Sequence, residues 1–273
     1  MTHGSLFSGI GGFDLAAEWS GFTNLFNCEW EEFPRKVLKH HFPNAKQYGD
    51  ISKVDFRPYR GAVDVLTGGF PCQDASIAKQ YGKAQQGLQG DRTGLWYQML
   101  RAIGEIEPKF VVAENVSNLL RTNEGNDFRI ILEGISGLGY NAEWRVCRGS
   151  EVGAPHHRAR VFLVAYSRSF KLQEGESFFK ILGKQISQRR RMCNGTTTSV
   201  GISWDVEPKV CWVDDGLSPG VVGFTKERNE SIKAYGNAIV PQVAYRIFEA
   251  IQEYEKRKKS PPPCEELPSH HGE

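Results

Sequence analysis

The 273-residue sequence has no apolar run long enough to cross a bilayer; its longest, "FVVA" and "VFLVA", fall far short of the ~20 residues a spanning helix needs. The opening "MTHGSLFSGIGG" lacks a basic segment followed by a long apolar stretch, so secretion is not expected. Six cysteines are scattered through the chain with no Cys-x-x-Cys pair and no Cys/His cluster at zinc-ligand spacing, which argues against a disulfide framework or a metal site. There is no phosphate-binding lysine loop, and "GIGGFD" lacks the G-x-G-x-x-G ending of a dinucleotide site. A net charge of +2 is too mild to prove a nucleic-acid partner. These absences leave a soluble, cytoplasmic globular protein that needs no metal and no membrane.

What is present is an alternation. "HGSLF", "FTNLFNCE", "AVDVLTG", "KFVVAEN" and "VFLVAYS" read as strands, and "FDLAAEW", "EFPRKVLKHHF", "GLWYQMLRAIGEI" and "NDFRIILEGISGL" as amphipathic helices. Such an order predicts an α/β fold with a mostly parallel, doubly wound sheet. Residues 1–166 form the expected catalytic and cofactor-binding domain. Residues 167–229 lose the periodicity, gather basic charge at Arg189, Arg190 and Arg191, and read as a small separate region. A helix in residues 230–259, with Val243, Ile247, Phe248, Ile251 and Tyr254 on one face, returns to the first domain. Residues 260–273 read as a disordered tail.

Chemistry-bearing residues gather where the predicted strands end. Gly9, Gly11 and Gly12 let the chain turn tightly and bring its backbone close to a ligand. Glu29 ends the next strand, suitably placed for a ribose diol, although a strand-end Glu is often simply solvated. Asp50 follows at another strand end and suits an adenine amino group. In "GGFPCQ" the glycine pair permits a sharp exit and Pro71 stiffens the loop, so Cys72 is presented as a nucleophile rather than packed as a small hydrophobe. "FVVAEN" ends on Glu114 and Asn115, where a carboxylic acid could exchange a hydrogen bond with a ring nitrogen. "HHRAR" adds Arg158 and Arg160, which could hold a substrate oxygen, a loop or a phosphate, or merely form surface pairs.

In order, "LFSGIGG", "EW", "GDI", "GGFPCQ", "ENV", "HHRAR" and "GNAIVP" closely resemble the motif series of the bacterial and phage cytosine carbon-5 DNA methyltransferases. The resemblance spans the chain except residues 167–215 and the tail. It implies a Rossmann-like fold that binds S-adenosyl-L-methionine. Phe7, Gly9, Ile10 and Gly11 would lie near the methionine half, Glu29 on the ribose, Trp30 on the adenine, and Asp50 with Ile51 at the adenine edge. Pro71, Leu95 and Asn237 would complete that pocket.

The same resemblance implies a catalytic set for a cytosine flipped out of double-stranded DNA. Cys72 would add to carbon 6, Glu114 would bond ring N3, Arg160 would hold the ring oxygen, and Arg158 would support the catalytic loop. Residues 78–94 would form a mobile loop closing over the DNA, and residues 167–229 would read a short site. A cognate restriction endonuclease fits the family but is not physically required, and a monomer suffices. The sequence departs from the family at His156, where glutamine is usual, and at Asp74 and Ala75.

Three other functions compete. An RNA cytosine methyltransferase would share the catalytic set, but the basic insert stands where the DNA enzymes keep their reading domain. A silent DNA-binding relative should have lost Cys72 or Glu114, and both are present. A nicotinamide oxidoreductase leaves the Pro-Cys-Gln sequence without a purpose.

Overall fold

The structure is a computed structural model that describes residues 1–71, 94–154, 156–168, 177–193 and 226–259. The side chains of residues 188–193, 226–229, 232 and 257–259 fall outside that description, and with them the three consecutive arginines. Cys72, the expected mobile loop before Gly94, most of the expected reading region and the tail also lie outside the described residues.

Seven strands form one sheet: β1 (Thr2–Leu6), β2 (Thr23–Cys28), β3 (Lys46–Tyr48), β4 (Val65–Gly68), β5 (Phe110–Val116), β6 (Tyr140–Cys147) and β7 (Arg160–Ser167). Their order is β3-β2-β1-β4-β5-β7-β6. The first five in this order run parallel, whereas β7 is antiparallel to both β5 and β6. The doubly wound α/β expectation holds, and chain direction around the sheet reverses between β1 and β4, where ligand crevices of such folds open.

Period-two alternation along the strands divides the core into two layers. Leu66, Val111 and Ala113 face one way, toward Trp96, Met99 and Ile103 of α3 (Gly94–Ile106) and Phe128, Ile131 and Ile135 of α4 (Asn126–Gly137). Val65, Phe110 and Val112 face the other way, toward α1 (Gly12–Trp19), α5 (Phe178–Cys193) and α7 (Pro241–Lys259). On α7 the expected stripe of Val243, Ile247, Phe248, Ile251 and Tyr254 is buried, and Phe248 meets Phe22 at 5.3 Å between ring centroids. Two further helices complete the described set, α2 (Glu32–His41) and α6 (Lys226–Asn237).

Two features go beyond the sequence reading. Residues 140–147 form a strand that the apolar pattern does not mark; β6 pairs only with β7, and only its end residues, Tyr140 and Cys147, are buried, so it carries no apolar run. α5 falls within the expected separate region, and its Phe178, Ile181 and Leu182 are buried in the same core as α1 and α7. Among the described residues no helix is long and apolar enough to cross a membrane, and no cluster of three His, Cys, Asp or Glu could hold a metal ion.

Candidate active site

The carboxyl end of β1 turns through three residues in left-handed backbone, Phe7 (φ 52°), Gly9 (φ 55°) and Gly11 (φ 87°), before α1 begins. Gly11 has no room for a side chain, since a Cβ there would lie 2.4 Å from Phe42. Gly9 is the opposite case, with nothing within 4 Å of an added Cβ, so its backbone borders open space. Ile10 is half-buried beside it.

Below this turn lies a buried polar network that sequence reading missed. Ser5 Oγ donates to both carboxylate oxygens of Asp14, at 2.9 and 3.0 Å, and lies 2.6 Å from Ser8 Oγ. Ser8 Oγ in turn accepts from the backbone N–H of Cys28 at 3.1 Å, tying the turn to the end of β2. Full burial pushes Asp14 up to about 7, opposed by the Ser5 hydrogen bond. The available signal was an acid next to Phe13 in the helix "FDLAAEW", on the face that packs inward.

Glu29 follows β2 directly. Its Oε2 accepts from the Gly9 N–H and its Oε1 from the Glu31 N–H, both at 2.7 Å. Burial pushes this carboxyl upward, while those backbone donors favour the charged form and pull it back. Trp30 next to it is 70% exposed, with its ring free to cover a flat ligand. Asp50 accepts from the Ser52 hydroxyl at 2.7 Å and from its N–H at 3.0 Å, and the Ser52 hydroxyl holds its carboxyl below the usual range. Ile51 is buried in the first core layer and Leu95 packs on that layer half-buried. Asn237 is exposed at the end of α6, and Pro71 is exposed just after β4.

The second cluster forms where β5 and β7 meet. Because β7 runs antiparallel, its first residue, Arg160, pairs with Val116 at the end of β5, and Glu114 pairs with Phe162. Arg160 Nε then reaches Glu114 Oε1 at 3.1 Å. Glu114 is only 8% exposed, and burial pushes it up to about 7 although Arg160 and Arg158 draw it downward. Gly69 passes close above it, an added Cβ lying 3.5 Å from Glu114 Oε2. Asn115 Nδ2 donates to the Phe70 carbonyl at 3.0 Å and so anchors the exit of β4 to the end of β5, immediately before Cys72.

Arg158 takes a position that the sequence did not suggest. Its Nη2 donates to the carbonyl of Gly236 at 2.9 Å and to that of Ala238, and its own φ is 25°. The glycine turn, Glu29, Asp50, the β4 exit, Glu114 and Arg160 thus share the carboxyl edge of one sheet.

A sheet of this order with a glycine turn at its switch point and a buried acid beside an arginine defines the class: a Rossmann-like methyltransferase fold. Solved structures agree on the fold. The structure of S. pombe Dnmt2 methyltransferase aligns with a TM-score of 0.61 over 93% of this chain and 99% of that chain, at 14% identity. The family model for C-5 cytosine-specific DNA methylase matches residues 1–207, and the chain belongs to that family. Methyltransferases of this family use S-adenosylmethionine. The Type II methyltransferase M.NgoBI of Neisseria gonorrhoeae is 35% identical over 187 residues, 68% of this chain and 57% of that protein. M.BsuFI of Bacillus subtilis is 32% identical over 242 residues, 86% of this chain and 56% of that protein. The chain spans about half the length of the curated relatives it matches.

Proposed function

We propose that this chain transfers a methyl group from S-adenosylmethionine to carbon 5 of a cytosine in double-stranded DNA. The observation that carries the reading is Glu114, a buried carboxyl raised to about 7 and held by Arg160 at the sheet edge that also carries the glycine turn. Near neutral pH such a group can keep a proton for hydrogen bonding to a ring nitrogen.

The residues present fit the cofactor. Gly9 borders open space, Glu29 retains lone pairs for hydroxyl donors beyond its two backbone bonds, and Trp30 exposes its ring face. When bound, S-adenosylmethionine supplies a sulfonium methyl to a nucleophilic carbon. Phe7, Ile10 and Gly11 would shape the methionine end, Asp50 and Ile51 the adenine edge, and Pro71, Leu95 and Asn237 the remaining walls.

The protein's own part follows from its chemistry. The target base must leave the stack to reach the edge. The Cys72 thiolate forms a bond to carbon 6, and the displaced ring electrons make carbon 5 nucleophilic. Glu114 donates to N3, and Arg160 holds the exocyclic oxygen while keeping Glu114 oriented. Methylation would leave S-adenosylhomocysteine; a water molecule would then take the carbon 5 proton, the ring double bond would re-form, and the carbon–sulfur bond to Cys72 would break to release the thiolate. Residues 78–94 would close over the DNA, and residues 167–229 would read its sequence. We assign the protein to the bacterial cytoplasm as a monomer, with any cognate nuclease acting separately on the same DNA.

Purified protein incubated with tritium-labelled S-adenosylmethionine and either duplex DNA or transfer RNA tests this reading. Label is expected on DNA and none with Cys72→Ala. Label on RNA alone would move the substrate to RNA, and label on neither would overturn the reading.

A further inference from the structure

The segment from α6 into α7 walls one side of the glycine turn, and two contacts hold it there. Lys233 Nζ donates to Glu31 Oε1 at 2.5 Å, and the Glu31 N–H is one of the two donors on Glu29. Ile239 sits against the first residue of α1, so close that a Cβ on Gly12 would lie 2.6 Å from Ile239 Cγ1. Neither contact reaches the Glu114 corner.

Arg158 does. The carbonyls of Gly236 and Ala238 lie at the C-terminal end of α6, where helix carbonyls lack partners within the helix and the helix dipole favours a cation. Arg158, 78 and 80 residues earlier in the chain, supplies that cation and bonds both oxygens through Nη2. It does so from a backbone conformation, φ 25°, that non-glycine residues adopt only when their surroundings hold them there. Arg158 stands two residues before Arg160, which reaches Glu114 at 3.1 Å, and its charge draws the Glu114 carboxyl downward along with that of Arg160.

We propose that Arg158 is a positioning residue that couples the two halves of the site: it caps α6, which fixes the wall beside the glycine turn, while its charge remains next to Glu114. The inference rests on reading the two halves as cofactor pocket and catalytic corner. It predicts a division of labour that lysine can expose. A lysine keeps a charge near Glu114, but its ammonium ends one bond short of the Nη2 position that serves both carbonyls, which puts them beyond hydrogen-bond reach.

The test measures S-adenosylhomocysteine binding by calorimetry and methyl transfer to duplex DNA at saturating cofactor, in wild type, Arg158→Ala, Arg158→Lys and Ile239→Ala. Arg158→Ala should weaken binding by about tenfold or more, as expected for losing charge-assisted hydrogen bonds, and should also lower kcat. Arg158→Lys should bind as weakly as the alanine variant while recovering most of kcat. Ile239→Ala, which opens the same wall without touching Arg158, should weaken binding and keeps the wall testable should Arg158→Ala fail to fold. Wild-type affinity in Arg158→Lys or in Ile239→Ala would overturn the coupling, as would equal losses of kcat in both Arg158 variants. A wild type that binds S-adenosylhomocysteine and methylates nothing would refute the proposed function and leave the binding comparison standing; one that binds no S-adenosylhomocysteine would refute both.

Discussion

Glu29 and Glu114 are both acids at strand ends on one sheet edge, and burial pushes both carboxyls upward. Their surroundings differ. Glu29 receives two backbone N–H groups, from Gly9 and Glu31, which favour its charged form and oppose the effect of burial. Glu114 has one arginine at 3.1 Å and is buried, and burial raises its pKa to about 7. The cofactor half therefore works through backbone donors, and the catalytic half through a proton that is easily gained or lost near neutral pH. Residue type alone would have assigned both glutamates the same role.

Substitutions sharpen this contrast. Glu114→Ala should slow methyl transfer by about 10²- to 10⁴-fold, the range for a lost acid–base group, with little effect on cofactor affinity; initial rates and calorimetry measure both. Glu29→Ala should do the reverse, weakening cofactor binding by about 10- to 100-fold as its hydrogen bonds are lost, with a much smaller fall in rate at saturation. If the two variants lowered the same parameter, the contrast would collapse.

Within the glycine turn the expected effects are on stability. Gly11→Ala combines a φ of 87° with a Cβ 2.4 Å from Phe42. Denaturant unfolding should show a loss of about 2–5 kcal/mol from strain and overpacking. Gly9→Ala meets only the backbone penalty, about 1–2 kcal/mol, because nothing lies within 4 Å of its Cβ.

Another effect on stability concerns pH. Asp14 is raised from 3.8 to about 7, so the folded chain holds its proton more tightly than the unfolded chain does. That contribution to stability is complete below the unfolded value and is lost as pH rises through the folded one. Wild-type thermal stability should decline between about pH 4 and 7 through this group, and Asp14→Asn should flatten the decline. Glu114 adds a contribution of the same sign, so adding Glu114→Gln should flatten the decline further.

Much of the fold was legible because its signals are local. The apolar periodicity of α3 and α7, the strand ends carrying Glu29, Asp50 and Glu114, and the glycine turn after β1 all follow from spacing within a few residues. What escaped depends on pairing at a distance. The edge strand β6 carries mixed polarity, α5 offers only a few apolar residues among basic and polar ones, and the antiparallel placement of β7 decides that Arg160 meets Glu114. Nothing near Arg158 in sequence pointed to carbonyls 78 and 80 residues away. Nor could a glutamate at a strand end announce that its first partners are backbone N–H groups.

The most direct measurement is the pH profile of single-turnover methyl transfer for wild type and Glu114→Gln. The account predicts that the wild-type rate falls above about pH 7 as Glu114 loses its proton, and that the variant, slower throughout, shows no such fall. A variant that matches the wild-type rate, or that keeps the same alkaline decline, would contradict it and show that Glu114 is not the proton donor to the cytosine ring.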